Sequence, residues 1–177
     1  MPYVRALPRA NPVRGRRSDR IGQPALHMDL GLGGRVALVT GGSRGIGAAT
    51  ARLLGLEGAR VAVSYCSNVS AAEGVAEDIR RGGGEACVIR LDLRAADSIR
   101  AAADDLVSRW GGIDVLVNSA VAWVPIRDAN PGPFERTPDE GWRPLLRANI
   151  EGTYVAVQRV VASMRPAPRG RECGSPR

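Results

Sequence analysis

Lysine is missing altogether: the 25 basic side chains among 177 residues are all Arg. No reaction that needs a Lys amine can run on this chain, and the Gly-Lys-Ser/Thr of a phosphate-binding P-loop is excluded with it. Histidine occurs once, at His27, and cysteine three times, at Cys66, Cys87 and Cys173, with no Cys-x-x-Cys pair. Neither zinc-ligand spacing nor a disulfide framework is present; reduced thiols in a cytoplasmic protein are the expectation, and no metal site is expected. No run of eighteen apolar residues exists, so no membrane-spanning helix is expected. The N-terminal stretch also lacks the apolar segment of a signal peptide, and nothing hydrophobic follows Arg16-Arg17 as a twin-Arg signal would need.

The net charge of +7 is unevenly spread. Residues 1–27 carry six Arg against Asp19, or +5, and residues 165–177 four Arg against Glu172, or +3; the middle is left at −1. A near-neutral body between two basic, Pro-rich ends argues against a folded nucleic-acid surface, which needs cations arranged on an element that meets phosphate. Neither end has apolar periodicity, and both are expected to be disordered. Met28 opens a segment that reads as a natural start, so residues 1–27 are expected to be an upstream leader, residues 28–164 the single domain and residues 165–177 a basic tail.

From Arg35 onward, short β-branched runs alternate with longer Ala/Leu/Arg segments of helical spacing, the pattern of βαβ units around a parallel sheet. Strands are expected at 35–40, 60–65, 85–90 and 114–119, each nearly continuous in apolar character, as strands covered on both faces are. Helices are expected at 44–56, at 69–81 with Ser67 or Asn68 as its cap, and at 95–110. A fourth helix is expected from Thr137-Pro138-Asp139-Glu140, where Thr caps and Glu completes the capping box, with Pro144 kinking its first turns.

Thr40-Gly41-Gly42-Ser43-Arg44-Gly45-Ile46-Gly47 follows the first strand and opens the first helix. A dinucleotide pyrophosphate needs N–H donors at a helix N-terminus, a turn tolerant of positive φ, and no Cβ where main chain meets phosphate. Gly41, Gly45 and Gly47 meet those needs, with Ser43, Arg44 and Ile46 completing the turn. A plain glycine-rich turn is the competing reading; the βαβ context favours the phosphate site.

This Thr-Gly-x-x-x-Gly-x-Gly spacing resembles that of short-chain dehydrogenases/reductases, and three further segments look like the same family. Asp92-Leu93 lies where the family's adenine-contacting Asp lies. Asp114 to Val121 is similar to the family's Asn-Asn-Ala-Gly strand end, with Asn118 and Ala120 matching, Ser119 in place of the second Asn and Val121 in place of Gly. Ala148-Asn149-Ile150-Glu151-Gly152-Thr153-Tyr154 resembles the helix segment bearing the catalytic Asn. The resemblance implies an α/β, Rossmann-type doubly wound parallel sheet, incomplete at about four strands in the order 3-2-1-4, with helices on both faces. It leaves Val115, Leu116 and Val117 on an open apolar edge, which favours association and low stability.

An acidic residue near the end of the second strand would favour NAD by binding the ribose hydroxyls and repelling a 2′-phosphate. Between Gly58 and Ala72 there is no Asp or Glu, Tyr65 ends the strand, and Ser64, Ser67 and Asn68 offer hydrogen bonds while Arg44 reaches back from the turn. NADP(H) is therefore the expected cofactor in preference to NAD, through a charge-assisted guanidinium–phosphate contact. The resemblance further implies a small carbonyl or alcohol substrate, a 3-oxoacyl carrier-protein reductase-like branch, no nucleic-acid or membrane partner, and a homo-oligomeric full-length relative.

Of the family's catalytic Asn, Ser, Tyr and Lys, only Asn149 can be assigned. Tyr154 is followed four residues later by Gln158 and is read as a packing residue in the core. The sequence supports an NADP-dependent reductase shortened near residue 165 and without turnover, or a non-catalytic dinucleotide-binding or interaction fragment. Substrate and stereochemistry are not written in these residues.

Overall fold

Each β-branched run forms a strand and each intervening segment a helix in the computed structural model, which describes residues 30–122, 135 and 139–164. The leader, the start at Met28, the basic tail and the Thr137-Pro138 cap lie outside the described residues. The elements run β1 (Val36–Thr40), α1 (Gly45–Leu56), β2 (Arg60–Tyr65), α2 (Val69–Arg81), β3 (Glu85–Arg90), α3 (Ala96–Trp110), β4 (Val115–Asn118), α4 (Asp139–Leu146) and α5 (Gly152–Ser163). The described residues from Leu32 to Met164 belong to one compact unit.

Side chains alternate across the sheet, because successive Cβ atoms on a strand point to opposite faces. Val36 and Leu38 of β1 join Ala62, Cys87 and Ile89 in one core, closed by Ile99 and Leu106 of α3 and by Ala156 and Val160 of α5. Ala37 and Val39 join Val61 and Val63 in the other, closed by Ala48 and Ala51 of α1 and by Val75 and Ile79 of α2. Helices thus cover both faces, which is why the strands tolerate almost no polar residue.

All strands pair in parallel, in the order β3-β2-β1-β4. The chain moves outward from β1 through β2 to β3, then crosses back to lay β4 on the other side of β1. At that reversal the connections leaving β1 and β3 run to opposite faces, α1 to one and α3 to the other, opening a crevice beyond the carboxyl ends of the strands. Asp114 fixes the opposite end: its carboxylate accepts from the Val36 N–H at 2.8 Å and pairs with Arg35. As expected, β4 is an edge strand with half-buried side chains. Before it, Ile113 makes a parallel bridge with Met164, the extended residue that ends α5.

The fourth helical segment departs from a plain α-helix. Pro144 sits inside α4, where it has no N–H to donate, and a π-helical turn at Arg147–Glu151 separates α4 from α5. Such a turn accommodates one extra residue and changes the direction in which the next side chains point. Tyr154 is corrected: it is 68% exposed and takes no part in the core. The buried residues of α5 are Gly152, Ala156 and Val160, four apart, and Tyr154, two positions after Gly152, falls on the opposite side of a helix with 3.6 residues per turn. Among the described residues no helix is long and apolar enough to cross a membrane.

Gly152 joins α5 to the end of β3. A Cβ there would stand 2.2 Å from the Leu93 carbonyl oxygen, a backbone atom that cannot step aside. Helix propensity favours Ala over Gly by about 1 kcal/mol, yet forcing a methyl into a filled contact costs about 1–3 kcal/mol. Gly152→Ala is therefore expected to lower stability by up to about 2 kcal/mol in urea unfolding. Gly74→Ala, in α2 where an added Cβ meets nothing within 4 Å, is expected to raise it by up to about 1 kcal/mol; equal effects would contradict this account.

Candidate functional site

Three backbone devices shape the turn between β1 and α1. Gly41 takes φ +64, and a Cβ on it would lie 2.7 Å from the Ala120 Cα, so the turn touches the end of β4 main chain to main chain. A Cβ on Gly47 would lie 2.3 Å from the Gly41 carbonyl oxygen, which brings the first turn of α1 tight against the loop. Gly45, at φ +56, faces open space, so the chain there is bare to an incoming group. The first four N–H groups of any α-helix lack intrahelical partners, and no acidic side chain of the first turn and no capping side chain competes for those of α1. The result is a positively polarised pocket suited to a phosphate group.

Buried polar side chains hold this turn in register. Thr40 is 1% exposed; its Oγ1 accepts from the Ser119 and Ala120 N–H groups, both at 3.1 Å, and donates to the Val117 carbonyl at 3.3 Å. Ser64 is likewise buried, and its Oγ accepts from the Gly41 N–H at 3.1 Å. Ser64 therefore supports the turn from behind and does not line the cleft. The site is stapled to both neighbours of β1.

In front of the turn lie two adjoining cavities of about 410 and 450 Å³. Of the residues expected at the cofactor, Gly41, Ser43, Arg44, Ile46, Ser67, Asp92, Leu93 and Ala120 line them. Gly45, Gly47, Ser64 and Asn118 do not, and neither does Asn149, expected as the catalytic residue. Arg44 is exposed at the N-cap of α1 with no ion-pair partner among the described residues. Cys66 and Asn68 extend the wall beside Tyr65, so the strip after β2 carries no acidic residue.

Asn149 lies on the π-helical turn, where both ends of its amide are engaged: Oδ1 accepts from the Ala122 N–H at 2.7 Å and Nδ2 donates to the Ala122 carbonyl at 3.0 Å. Its side chain positions the stretch after β4. Val121 borders both cavities and is 64% exposed. No described non-glycine residue has positive φ, so Val occupies this position without left-handed strain.

Two charged lining residues were missed in the sequence. Arg147, on the π-helical turn, faces the second cavity and gave no signal, because its place depends on that turn. Arg94 did: the Asp-x-Arg spacing ahead of a helix is that of an Asx turn. Its N–H and Nε donate to Asp92 Oδ1 at 3.0 and 2.9 Å, and its Nη2 to Oδ2 at 2.8 Å. These bonds push the Asp92 carboxyl down to about 2, against the upward push of partial burial. Among the described residues no group of three His, Cys, Asp or Glu side chains could hold a metal.

A doubly wound parallel sheet with a glycine turn at its switch point and an open cleft before it defines a dinucleotide-binding unit. Residues 35–172 match the model of the short chain dehydrogenase family, and the chain belongs to that family. It is 35% identical over 128 residues to the 3-oxoacyl-[acyl-carrier-protein] reductase FabG of Staphylococcus aureus, a match covering 72% of this chain and 50% of the relative. A dehydrogenase/reductase from Sinorhizobium meliloti superposes with a TM-score of 0.68 at 39% identity, over 75% of this chain and 50% of the other. A short chain dehydrogenase from Burkholderia cenocepacia in complex with NADP does so with 0.67 at 34% identity, over 75% and 52%. The chain spans about half the length of the relatives it matches.

Thr40→Val keeps shape but leaves two N–H groups unpaired, each costing about 1–3 kcal/mol. A loss of about 2 kcal/mol or more is expected in chemical unfolding, with Thr40→Ser close to the parent; a harmless Val would contradict the role given to the hydroxyl. For Asp92, the folded pKa lies below the ordinary carboxylate value of about 3.9. The stabilisation from its pairing is thus fully present above about pH 4 and lost as pH falls toward 2. Carboxyl-carbon NMR is expected to show Asp92 titrating near 2, rising to the ordinary range in Arg94→Gln.

Proposed function

We propose that residues 28–164 form the NADP(H)-binding part of a carbonyl/alcohol oxidoreductase, of the kind that reduces 3-oxoacyl thioesters, and that residues 1–177 alone bind the dinucleotide without turning it over. The observation that carries the cofactor reading is Arg44: an exposed guanidinium with no acidic partner among the described residues, at a helix N-terminus where a cation is unfavourable unless an anion sits beside it. The strip from Tyr65 to Asn68 faces the same cavity and offers hydrogen bonds without negative charge.

In this reading the N–H groups at the start of α1 hold the pyrophosphate, with Gly45 giving main chain free approach. Arg44 and Ser67 hold a 2′-phosphate. Asp92 accepts from the adenine amino group, and Leu91 and Leu93 flank the base. Thr40, Ser64 and Asn149 keep the main chain around this path in place and touch no ligand. Bound NADPH supplies the hydride for carbonyl reduction. No Tyr-x-x-x-Lys is available to deliver the accompanying proton, since the sequence has no Lys; a positioned acid contributes about 100-fold to 10,000-fold in rate. The matches to FabG and to an NADP complex support the substrate class and the cofactor. The free thiols of Cys66 and Cys87 support the cytoplasmic location proposed with them.

Calorimetric titration tests the cofactor reading directly. 2′-Phospho-ADP-ribose is expected to bind at least about tenfold more tightly than ADP-ribose, as one charge-assisted contact of about 1.5–3 kcal/mol implies, and Arg44→Ala to remove most of the difference. Equal affinities in the parent would overturn NADP preference. The 177-residue chain is expected to leave NADPH unoxidised with a simple ketoester; turnover above background would overturn its inactivity.

A further inference from the structure

Arg94 has no part in the reading so far, yet it spends three donors on one carboxylate at the wall of the cleft. A carboxylate offers about four lone-pair sites. Oδ1 of Asp92 receives both the N–H and the Nε of Arg94, and Oδ2 receives Nη2. One site on Oδ2 is left. The main chain is fixed as well, because the Asp92 N–H donates to Ser98 Oγ at 3.1 Å. Asp92 is 17% exposed while the Arg94 side chain is 66% exposed, so the arginine brackets the carboxylate from the solvent side. Arg94 Nη2 also donates to Cys66 Sγ at 3.7 Å, and the Cys66 thiol itself hydrogen-bonds the Asp92 carboxylate; a thiol is a weak donor and yields the remaining site to any stronger one.

We infer that Arg94 is a positioning residue that makes Asp92 a single, immobile hydrogen-bond acceptor, so that the cleft selects a purine carrying a 6-amino group over one carrying a 6-oxo group. The inference rests on the dinucleotide reading above. An adenine amine meets the one remaining lone pair. A hypoxanthine presents its O6 there instead, acceptor against acceptor, and offers its nearest donor, N1–H, a step further round the ring. A free carboxylate could rotate to meet N1–H; one held by a planar fork cannot. Arginine alone provides that fork, since a lysine ammonium is a point charge without fixed geometry.

The test compares NADPH with its hypoxanthine analogue in equilibrium titrations on the parent chain, Arg94→Gln and Arg94→Lys, with thermal melts alongside. The parent is expected to prefer adenine by about tenfold or more. Arg94→Gln is expected to reduce the preference to about threefold or less, and Arg94→Lys to recover overall affinity through its charge without recovering the preference. If Arg94→Gln keeps the parent's ratio with an unchanged melt, or Arg94→Lys restores it, the positioning role is wrong while the dinucleotide reading stands. A parent that binds neither analogue overturns the dinucleotide reading and this inference together.

Discussion

The contact between the Thr40-Gly41 corner and the end of β4 is the constraint on which the site depends. Two main chains meet there at a distance that excludes a Cβ, and one buried hydroxyl gathers the N–H groups of Ser119 and Ala120 and the carbonyl of Val117. Ser64 completes the arrangement from the β2 side. The glycine turn, the end of β4 and the strip after β2 therefore form one rigid frame. The cleft owes its shape to hydrogen bonds made behind it, out of contact with anything it holds.

Much of this was legible in the sequence because burial on both faces leaves a strong mark. A strand covered on both sides is apolar at nearly every position, Thr40 and Ser64 being the hydrogen-bonded exceptions, so β1 and β2 could be bounded almost to the residue, and the glycine turn was defined by its place between a strand and a helix. Asn149 and Ser64 were singled out as polar residues near the right elements, but hydrogen-bond partners distant in sequence leave no local pattern. Asn149 reaches Ala122 from a π-helical turn, and Ser64 turns inward to Gly41. Tyr154 was read as core because it occupies the aromatic position of the Asn-x-x-Gly-Thr-aromatic segment and is not followed by Lys; the small residues of α5 do the packing instead.

Replacement of every lysine by arginine also affects the surface. Arg52, Arg80, Arg94 and Arg143 each find a carboxylate at hydrogen-bonding distance. Such exposed pairs add little stability, but they fix where charge is neutralised. Arg44 and Arg147, both at the cleft, have no such partner among the described residues, so their charge is left to face an anionic ligand there.

The Asn149–Ala122 pairing ties together two points far apart in the chain. Whatever sequence connects them, its ends are held by a two-point amide clasp. Closure entropy grows slowly with length, about 0.6 kcal/mol for each doubling of a flexible loop. A change in the length of the sequence between Ala122 and α4 therefore carries a small closure cost, while the clasp and the frame behind it stay as they were.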